Sequence, residues 1–345
     1  MKEYTYLPEV RQAFRCSVPN AGIRQVFMVD GLLQEPSGME NGWELMPGKD
    51  GKGLIMTVRG DHFSSPVQII SVRSENMPHP VEFTNEWILA PGARMQLIVC
   101  DHTIKEYLYR TIRNTIISLG DGAQLDILFM QNEHKESSYK LEVNASLGEE
   151  ALLDCHIISL YGGTISNTVN AIMEKPGARC NLDGLYLADG TQSIEYNVDV
   201  KHLSGNCSSN QLFKGVLDNR ARASFRGTIL VAKDSQKTEA FQANHNLLLT
   251  KEAKITTKPQ LEIYADDVKC SHGASIGRLD ELGLFYLRSR GISLPEAQTL
   301  QQMAFVQDVL GKIKTDTIRE RLEKMVESRL RGEFSKCSHC TMHCC

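Results

Sequence analysis

The feature that most constrains the fold is a long middle segment of short strand-like pieces repeated at nearly constant spacing. From about residue 81 to 277, runs of Ile, Leu, Val and aromatic residues often alternate with polar residues, and Gly, Asn and Asp separate them. Successive runs follow Ala93, Ala123, Ala151 and Ala178, at steps of 30, 28 and 27 residues. Such spacing favours a β-solenoid whose coils stack, with a β-sandwich or barrel as the alternative.

Three further regions surround this β segment. Residues 1–80 hold short apolar runs and a glycine-rich loop, which indicate strands and connectors, with at most one short helix around Pro8 to Arg15. Residues 278–332 change to helical periodicity and contain a capping box at Ser293–Glu296. Residues 333–345 form a tail rich in Cys and His. The sequence thus predicts a mostly β protein with a C-terminal α-helical segment, docked on the β body or offered to a partner.

The overall composition is that of a globular protein. A net charge of −4 gives no electrostatic reason to expect a nucleic-acid partner. No apolar run approaches the ~20 residues of a membrane-spanning helix, and the first residues lack an apolar signal core. We therefore expect a cytoplasmic protein without a membrane partner, in which the ten cysteines are mainly free thiols.

A cysteine and a histidine two positions apart, Cys270 and His272, form the best candidate for chemistry. In an extended strand their side chains point to the same side, with Cα atoms about 6.6 Å apart. Thiolate and imidazole bind zinc, copper and iron–sulfur clusters. Two ligands do not complete such a site, so a buried Cys beside a hydrogen-bonded His is the simpler interpretation within one chain. Otherwise, the missing ligands must come from elsewhere in the fold or from another chain, or be absent because the site is transient.

The tail is a weaker candidate metal site. A C-x-x-C pair followed by further thiols can wrap a soft metal, but chain termini are often mobile and exposed. The candidate ligands are Cys337, Cys340, Cys344, Cys345, His339 and His343.

Common catalytic signatures do not occur in this sequence. It has no P-loop, no dinucleotide-binding glycine pattern, no H-E-x-x-H and no G-x-S-x-G. We expect a chain that is not an enzyme, and any ATP hydrolysis that it needs would come from a partner.

Residues 207–310 closely resemble the SufB/SufD family of iron–sulfur cluster assembly proteins. The resemblance is carried by NQLFKGVLDNRARASFRGTILVAKDSQKTEAFQANHNLLLT and by PQLEIYADDVKCSHGASIGRLDELGLFYLRSRGI. Within the family, the SufD pattern A-D-D-V-K-C-S-H-G-A is complete at Ala265–Ala274, and the E-H-E-A-T-T-like segment of SufB chains is absent. Residues 81–206 fit more loosely and residues 1–80 fit poorly, so the family's long N-terminal helical region is expected to be shortened here.

The resemblance implies a right-handed parallel β-helix that pairs side by side with a SufB-like chain. A transient iron–sulfur cluster would form at their interface, with His272 as the SufD-side residue and Cys270 as its neighbour. The C-terminal helices would hold a SufC-like ABC-type ATPase. The apolar stripe of the third helix, near residues 315–331, becomes the candidate dock: Ile318, Leu322, Met325 and Val326.

Several alternatives stay open at this point. The same β-helix edge could form a SufD-like homodimer. A reduced flavin accompanies some complexes of this family, although nothing in this sequence marks a flavin pocket. An exported-type β-helix polysaccharide lyase would show the same sequence pattern of a long solenoid. A stand-alone metal-binding protein could be built around the tail.

Overall fold

Parallel strands wind into a solenoid of about seven turns in the computed structural model of this chain. The structure describes residues 23–34, 37–40, 42–73, 80–103 and 108–332. Two stacked sheets enclose the apolar interior. We call them the helix-side sheet, whose outer face carries the C-terminal helices, and the far sheet.

The bounds of the described strands are as follows. The helix-side sheet contains β1 (Arg24–Val29), β6 (Asp61–Arg73), β8 (Arg94–Thr103), β10 (Gln124–Asn132), β12 (Leu152–Tyr161), β14 (Arg179–Ala188), β16 (Ser208–Leu217), β18 (Thr238–Leu248) and β20 (Val268–Gly277). The far sheet contains β2 (Leu32–Leu33), β5 (Gly53–Val58), β7 (Val81–Leu89), β9 (Arg110–Leu119), β11 (Ser138–Leu147), β13 (Thr164–Met173), β15 (Ser193–His202), β17 (Arg222–Val231) and β19 (Lys254–Ile263). Two more strands, β3 (Gly38–Glu40) and β4 (Trp43–Pro47), add to β5 in antiparallel fashion.

The repeated alanines mark one coil of the solenoid. Each precedes a strand of the helix-side sheet, and the strands that follow are paired in parallel at the same spacing, for example Gln124 with Leu152 and Leu152 with Arg179. All of them are fully buried in the turn that leads into each strand. These are Ala93, Ala123, Ala151 and Ala178. The predicted solenoid is confirmed, and the sandwich alternative is not what the chain forms.

In the later coils, the buried alanine that precedes a strand is found in the far sheet and not in the helix-side sheet. Buried Cys207, not an alanine, precedes β16 in the helix-side sheet. The next buried alanines that directly precede a strand, Ala221 and Ala253, precede β17 and β19 of the far sheet.

The sheets begin before the predicted start at residue 81. β5 pairs in parallel with β7, and β6 pairs in parallel with β8. The region expected to be separate strands and loops therefore contributes to the same two sheets. The helix predicted around Pro8 to Arg15 lies outside the described residues.

Three helices follow the solenoid: α1 (Glu281–Ser289), α2 (Leu294–Leu310) and α3 (Asp316–Leu330). The predicted capping box is present, since the Ser293 side chain accepts a hydrogen bond from the Glu296 backbone N–H. Helices α2 and α3 pack on the outer face of the helix-side sheet, where Val306 and Val326 join Leu128 and Ile158 in one buried apolar cluster. In the part of the chain that the structure describes, no helix is both long enough and apolar enough to span a membrane.

Charged side chains fasten the helical segment to the sheet. The Lys214 ammonium donates to the Phe305 carbonyl at 2.7 Å and pairs with Asp308. Lys314, in the α2–α3 connection, pairs with Asp154. These contacts supplement the apolar cluster and set where the helices lie along the strands.

Arg329, near the end of α3, makes the most extensive of these contacts. This residue is only 6% exposed. It donates to both carboxylate oxygens of Asp189, at 2.7 and 2.9 Å, and to the Leu160 carbonyl and the Gln192 side chain, each at 2.9 Å. Removing it would leave several buried acceptors without partners.

We expect Arg329→Met to lower the free energy of unfolding by about 1 to 3 kcal/mol, because it abolishes a charge-assisted buried network. Urea denaturation followed by circular dichroism measures this loss. Arg331→Met is the matched control, since Arg331 lies on the exposed side and pairs with Glu296 and Glu327 in solvent. Equal losses in the two variants would show that burial of the Arg329 network does not stabilise the fold.

Candidate functional site at the open end of the solenoid

The last described coil, formed by β19 and β20, has an outer edge to which no other described strand pairs. Within the described residues, β19 pairs only with β17 and β20 pairs only with β18. Ser271 to Gly277 are exposed throughout, and large apolar side chains border the edge. Ile263, Tyr264 and Ile276 are 38, 63 and 50% exposed. A bare strand edge with apolar side chains is a template for pairing with another strand.

The structure places Cys270 and His272 on this terminal strand. Cys270 is in register with Ala240 and His272 with Gln242, and both partners are buried inside the preceding coil. Because parallel neighbours point to the same face, both side chains lie on the interior side of β20, as their spacing predicts. No further coil of the described chain covers them.

The two side chains differ in environment. Cys270 is half-buried and packs with Ala240, Leu261 and Val268, whereas His272 is exposed. Burial raises the pKa of the Cys270 thiol above its ordinary value, and a hydrogen bond from the Ala240 backbone offsets part of this effect. At neutral pH the isolated chain therefore presents a neutral thiol beside an accessible imidazole. The thiol must lose its proton before it can bind a metal.

The pair is not part of a complete metal site within the described residues. There, no group of three or more His, Cys, Asp and Glu side chains is arranged to hold a metal ion. Among the described residues, the open end thus supplies Cys270 and His272 as candidate ligands.

The six ligands predicted in the tail cannot be placed. They lie in residues 333–345, outside the described part of the chain. The prediction concerns Cys337, Cys340, Cys344, Cys345, His339 and His343.

The apolar stripe of α3, predicted to face a partner, faces the chain's own sheet instead. Its four side chains are 0 to 5% exposed and pack with residues such as Cys100 and Met130 on the outer face of the helix-side sheet. The members of this stripe are Ile318, Leu322, Met325 and Val326. An amphipathic pattern shows that a helix covers an apolar surface, but not which surface it covers.

An exposed apolar surface lies on α1 instead. Leu282, Phe285 and Tyr286 are 80, 73 and 57% exposed, and no residue of this helix is buried. The sequence places these side chains on one helical face, but its period cannot tell whether the face is covered. This patch, called the α1 patch below, is larger than the scattered apolar residues of an ordinary surface.

Two buried polar atoms at the open end were not predicted from the sequence. Gln242 Oε1 and Thr257 Oγ1 have no hydrogen-bond partner in the structure. Gln242 lies one coil of 30 residues before His272, so counting back by one alanine step could have identified it.

The fold and this end define a parallel β-helix protein whose last coil presents a thiol and an imidazole at an unpaired edge. The chain belongs to the SUF system FeS cluster assembly family, whose SufBD core domain matches residues 84–305. It is a SufD-like member of that family, as its motif predicted. The match is to an assembly family and not to polysaccharide lyases.

Named relatives agree with this placement. The chain is 31% identical over 244 residues to the iron–sulfur cluster assembly protein SufD of Escherichia coli (strain K12), covering 71% of this chain and 58% of that protein. It is 39% identical over 212 residues to the chloroplastic protein ABCI7 of Arabidopsis thaliana, covering 61% and 44%. It is 30% identical over 172 residues to SufD of Bacillus subtilis (strain 168), covering 49% and 39%. The chain spans about half the length of the curated relatives it matches.

We expect the alkylation of Cys270 by iodoacetamide to have a higher pH midpoint in the folded chain than in the unfolded chain. Burial raises the pKa of this thiol, and only the thiolate reacts. Mass spectrometry of the peptide that contains Cys270 gives the rate at each pH, with the guanidinium-unfolded chain as control. Coincident midpoints would contradict the burial of this side chain.

Proposed function

We propose that this chain is a SufD-like scaffold subunit of the SUF iron–sulfur cluster assembly machinery. It pairs through its terminal coil with a SufB-like chain, and a nascent cluster forms at the interface. The observation that carries the proposal is an incomplete ligand pair on an unpaired strand edge. Family membership and the complete Ala265–Ala274 motif support it.

The geometry of the edge favours strand pairing as the mode of association. β20 offers a ten-residue strand whose free edge can form a ladder with a second chain. Ile263 and Ile276 would be buried by the same contact. A second copy of this chain presents the same edge, so a homodimer is the competing assembly that the experiment below separates.

The ligand set suits a cluster that must be handed on. Clusters in stable proteins are usually held by four thiolates, whereas this end has one imidazole and one thiol that burial keeps protonated. His272 is the better ligand because it is exposed and because imidazole nitrogen is a common metal ligand. The remaining ligands would come from the SufB-like chain. Separation of the two chains would then expose the cluster for transfer.

A scaffold of this kind needs a partner that changes its conformation. The sequence carries no nucleotide-binding motif, so we assign ATP hydrolysis to a SufC-like ABC-type ATPase. The docking surface that the structure supports is the α1 patch, since the α3 stripe is already covered. Leu282 and Phe285 project from the first helix after β20. Movement of α1 would therefore act directly on the strand that holds His272.

Replacement of His272 by alanine is expected to lower iron and sulfide in the assembled complex several-fold while the subunit ratio stays unchanged. The chain would be co-expressed anaerobically with SufB-like and SufC-like proteins from the same source and purified through a tag on this chain. His245→Ala is the matched control. His245 lies on β18 but on the outer face, where Nδ1 is 2.7 Å from Ser275 Oγ.

Three results would contradict parts of this proposal. An unchanged iron and sulfide content in His272→Ala would return His272 to a structural role. Recovery of a dimer of this chain without the SufB-like protein would favour the homodimer. Failure to recover either partner would reject the scaffold function itself.

A second substitution tests the docking surface. We expect Phe285→Ser to weaken recovery of the SufC-like ATPase about 30-fold or more, as for loss of a central aromatic contact at an interface. Recovery of the SufB-like chain should not change. Tyr264→Ser, at the solenoid end, is the matched control and should have the opposite pattern. Quantitative pull-down with purified partners measures both, and equal effects of the two variants on both partners would contradict separate surfaces.

A further inference from the structure

One interior column of the solenoid changes from apolar to polar as it approaches His272. Its four members from β8 to β14 are buried and apolar: Leu97, Ile127, Cys155 and Leu182. Its last three members, from β16 to β20, are Gln211, Gln242 and His272. Burying amides inside an apolar coil costs free energy, so their presence beneath the candidate ligand calls for a reason.

The carboxamide of Gln242 is held in one orientation. Its Nε2 donates to Gln211 Oε1 at 2.7 Å. From the far sheet, Gly227 packs directly against it, since a Cβ atom at that position would lie 2.3 Å from Nε2 and 2.6 Å from Oε1. This hydrogen bond directs Nε2 of Gln242 at Gln211, whose own Nε2 has no partner in the structure, and the glycine provides the space that the amide occupies.

The other end of this amide has no partner. Gln242 is 2% exposed, and its Oε1 accepts no hydrogen bond in the structure. β16 occupies one side of β18 and β20 the other, so the residue in register on the open side is His272. A buried acceptor next to an imidazole is a natural partner for a ring N–H.

We propose that Gln242 is a positioning residue for His272: its Oε1 accepts a hydrogen bond from one ring nitrogen and leaves the other, with its lone pair, directed at the partner chain. Histidines that bind metals commonly donate their second ring N–H to an oxygen acceptor, which sets the tautomer and the ring orientation. The inference deepens the proposed function, because it rests on His272 being the ligand.

The choice of an amide over a carboxylate has a chemical consequence. A carboxylate acceptor would make the imidazole more basic and strengthen its bond to a metal. A neutral amide orients the ring without adding charge. Gln242 thus suits a ligand that binds its cluster and later releases it.

The test is the tautomer of His272 in the isolated chain, which needs no cluster and no partner. Histidine labelled with ¹⁵N and long-range ¹H–¹⁵N spectra report which ring nitrogen carries the hydrogen, and His272→Gln assigns the signals. We expect one tautomer to dominate at neutral pH, and Gln242→Met to change the tautomer ratio at least threefold. Gly227→Ala, whose added methyl displaces the amide, should cause the same change and serves if Gln242→Met does not fold.

Two matched controls isolate the contact. Thr257→Val removes the other unpartnered polar atom of the terminal coil, and Gln131→Met removes an equally buried interior glutamine far from β20. Neither should change the His272 signals. An unchanged tautomer ratio in folded Gln242→Met or Gly227→Ala would overturn the proposal, as would an equal change in Thr257→Val.

The outcome can be separated from that of the proposed function. A changed tautomer ratio in Gln242→Met, with iron in the complex independent of His272, would keep the positioning role and reject the ligand role. An unchanged ratio, with iron lost in His272→Ala, would reject only the positioning role.

Discussion

Parallel strand pairing between successive coils is the interaction on which the rest of this structure depends. Each strand of the β-helix satisfies its backbone groups by pairing with the strands one coil before and one coil after it. The last coil has no later coil among the described residues, so β19 and β20 keep one edge free. The function that we propose arises from that incomplete pairing, because the same edge carries Cys270 and His272.

The second constraint is which apolar faces of the C-terminal helices the chain itself covers and which stay exposed for a partner. The apolar faces of helices α2 and α3 pack on the helix-side sheet. Hydrogen bonds and ion pairs of Lys214, Lys314 and Arg329 hold the helices there. Helix α1, which directly follows β20, keeps its apolar face exposed. A partner bound to the exposed face of α1 would lie next to the terminal strand. It would therefore act on the open end, while α2 and α3 stay packed on the sheet.

Whether a prediction from the sequence was right or wrong depended on whether the interactions involved are local or join residues distant in the chain. The alanine step predicted the coil length because a solenoid repeats the same local turn, in which these alanines are buried. The α3 stripe was assigned to a partner, yet Ile318 and Leu322 cover Ile98 and Leu128 of the chain itself. Helical periodicity could not distinguish the two cases, since α1 and α3 show similar stripes. The early start of the sheets was missed because the pairing of β5 with β7 joins segments between which the whole of β6 lies in the chain.

The sequence by itself determined the all-β repeat, the family, and the placement of Cys270 and His272 on one side of a strand. These properties depend on strand alternation and on a contiguous motif, which are local. Only the tertiary structure decided that this strand is the last of the stack among the described residues, that Cys270 is half-buried while His272 is exposed, and that Gln242 is in register with His272. Those facts depend on coil register and on which surfaces the helices cover. Both are set by the sum of contacts between residues distant in the chain.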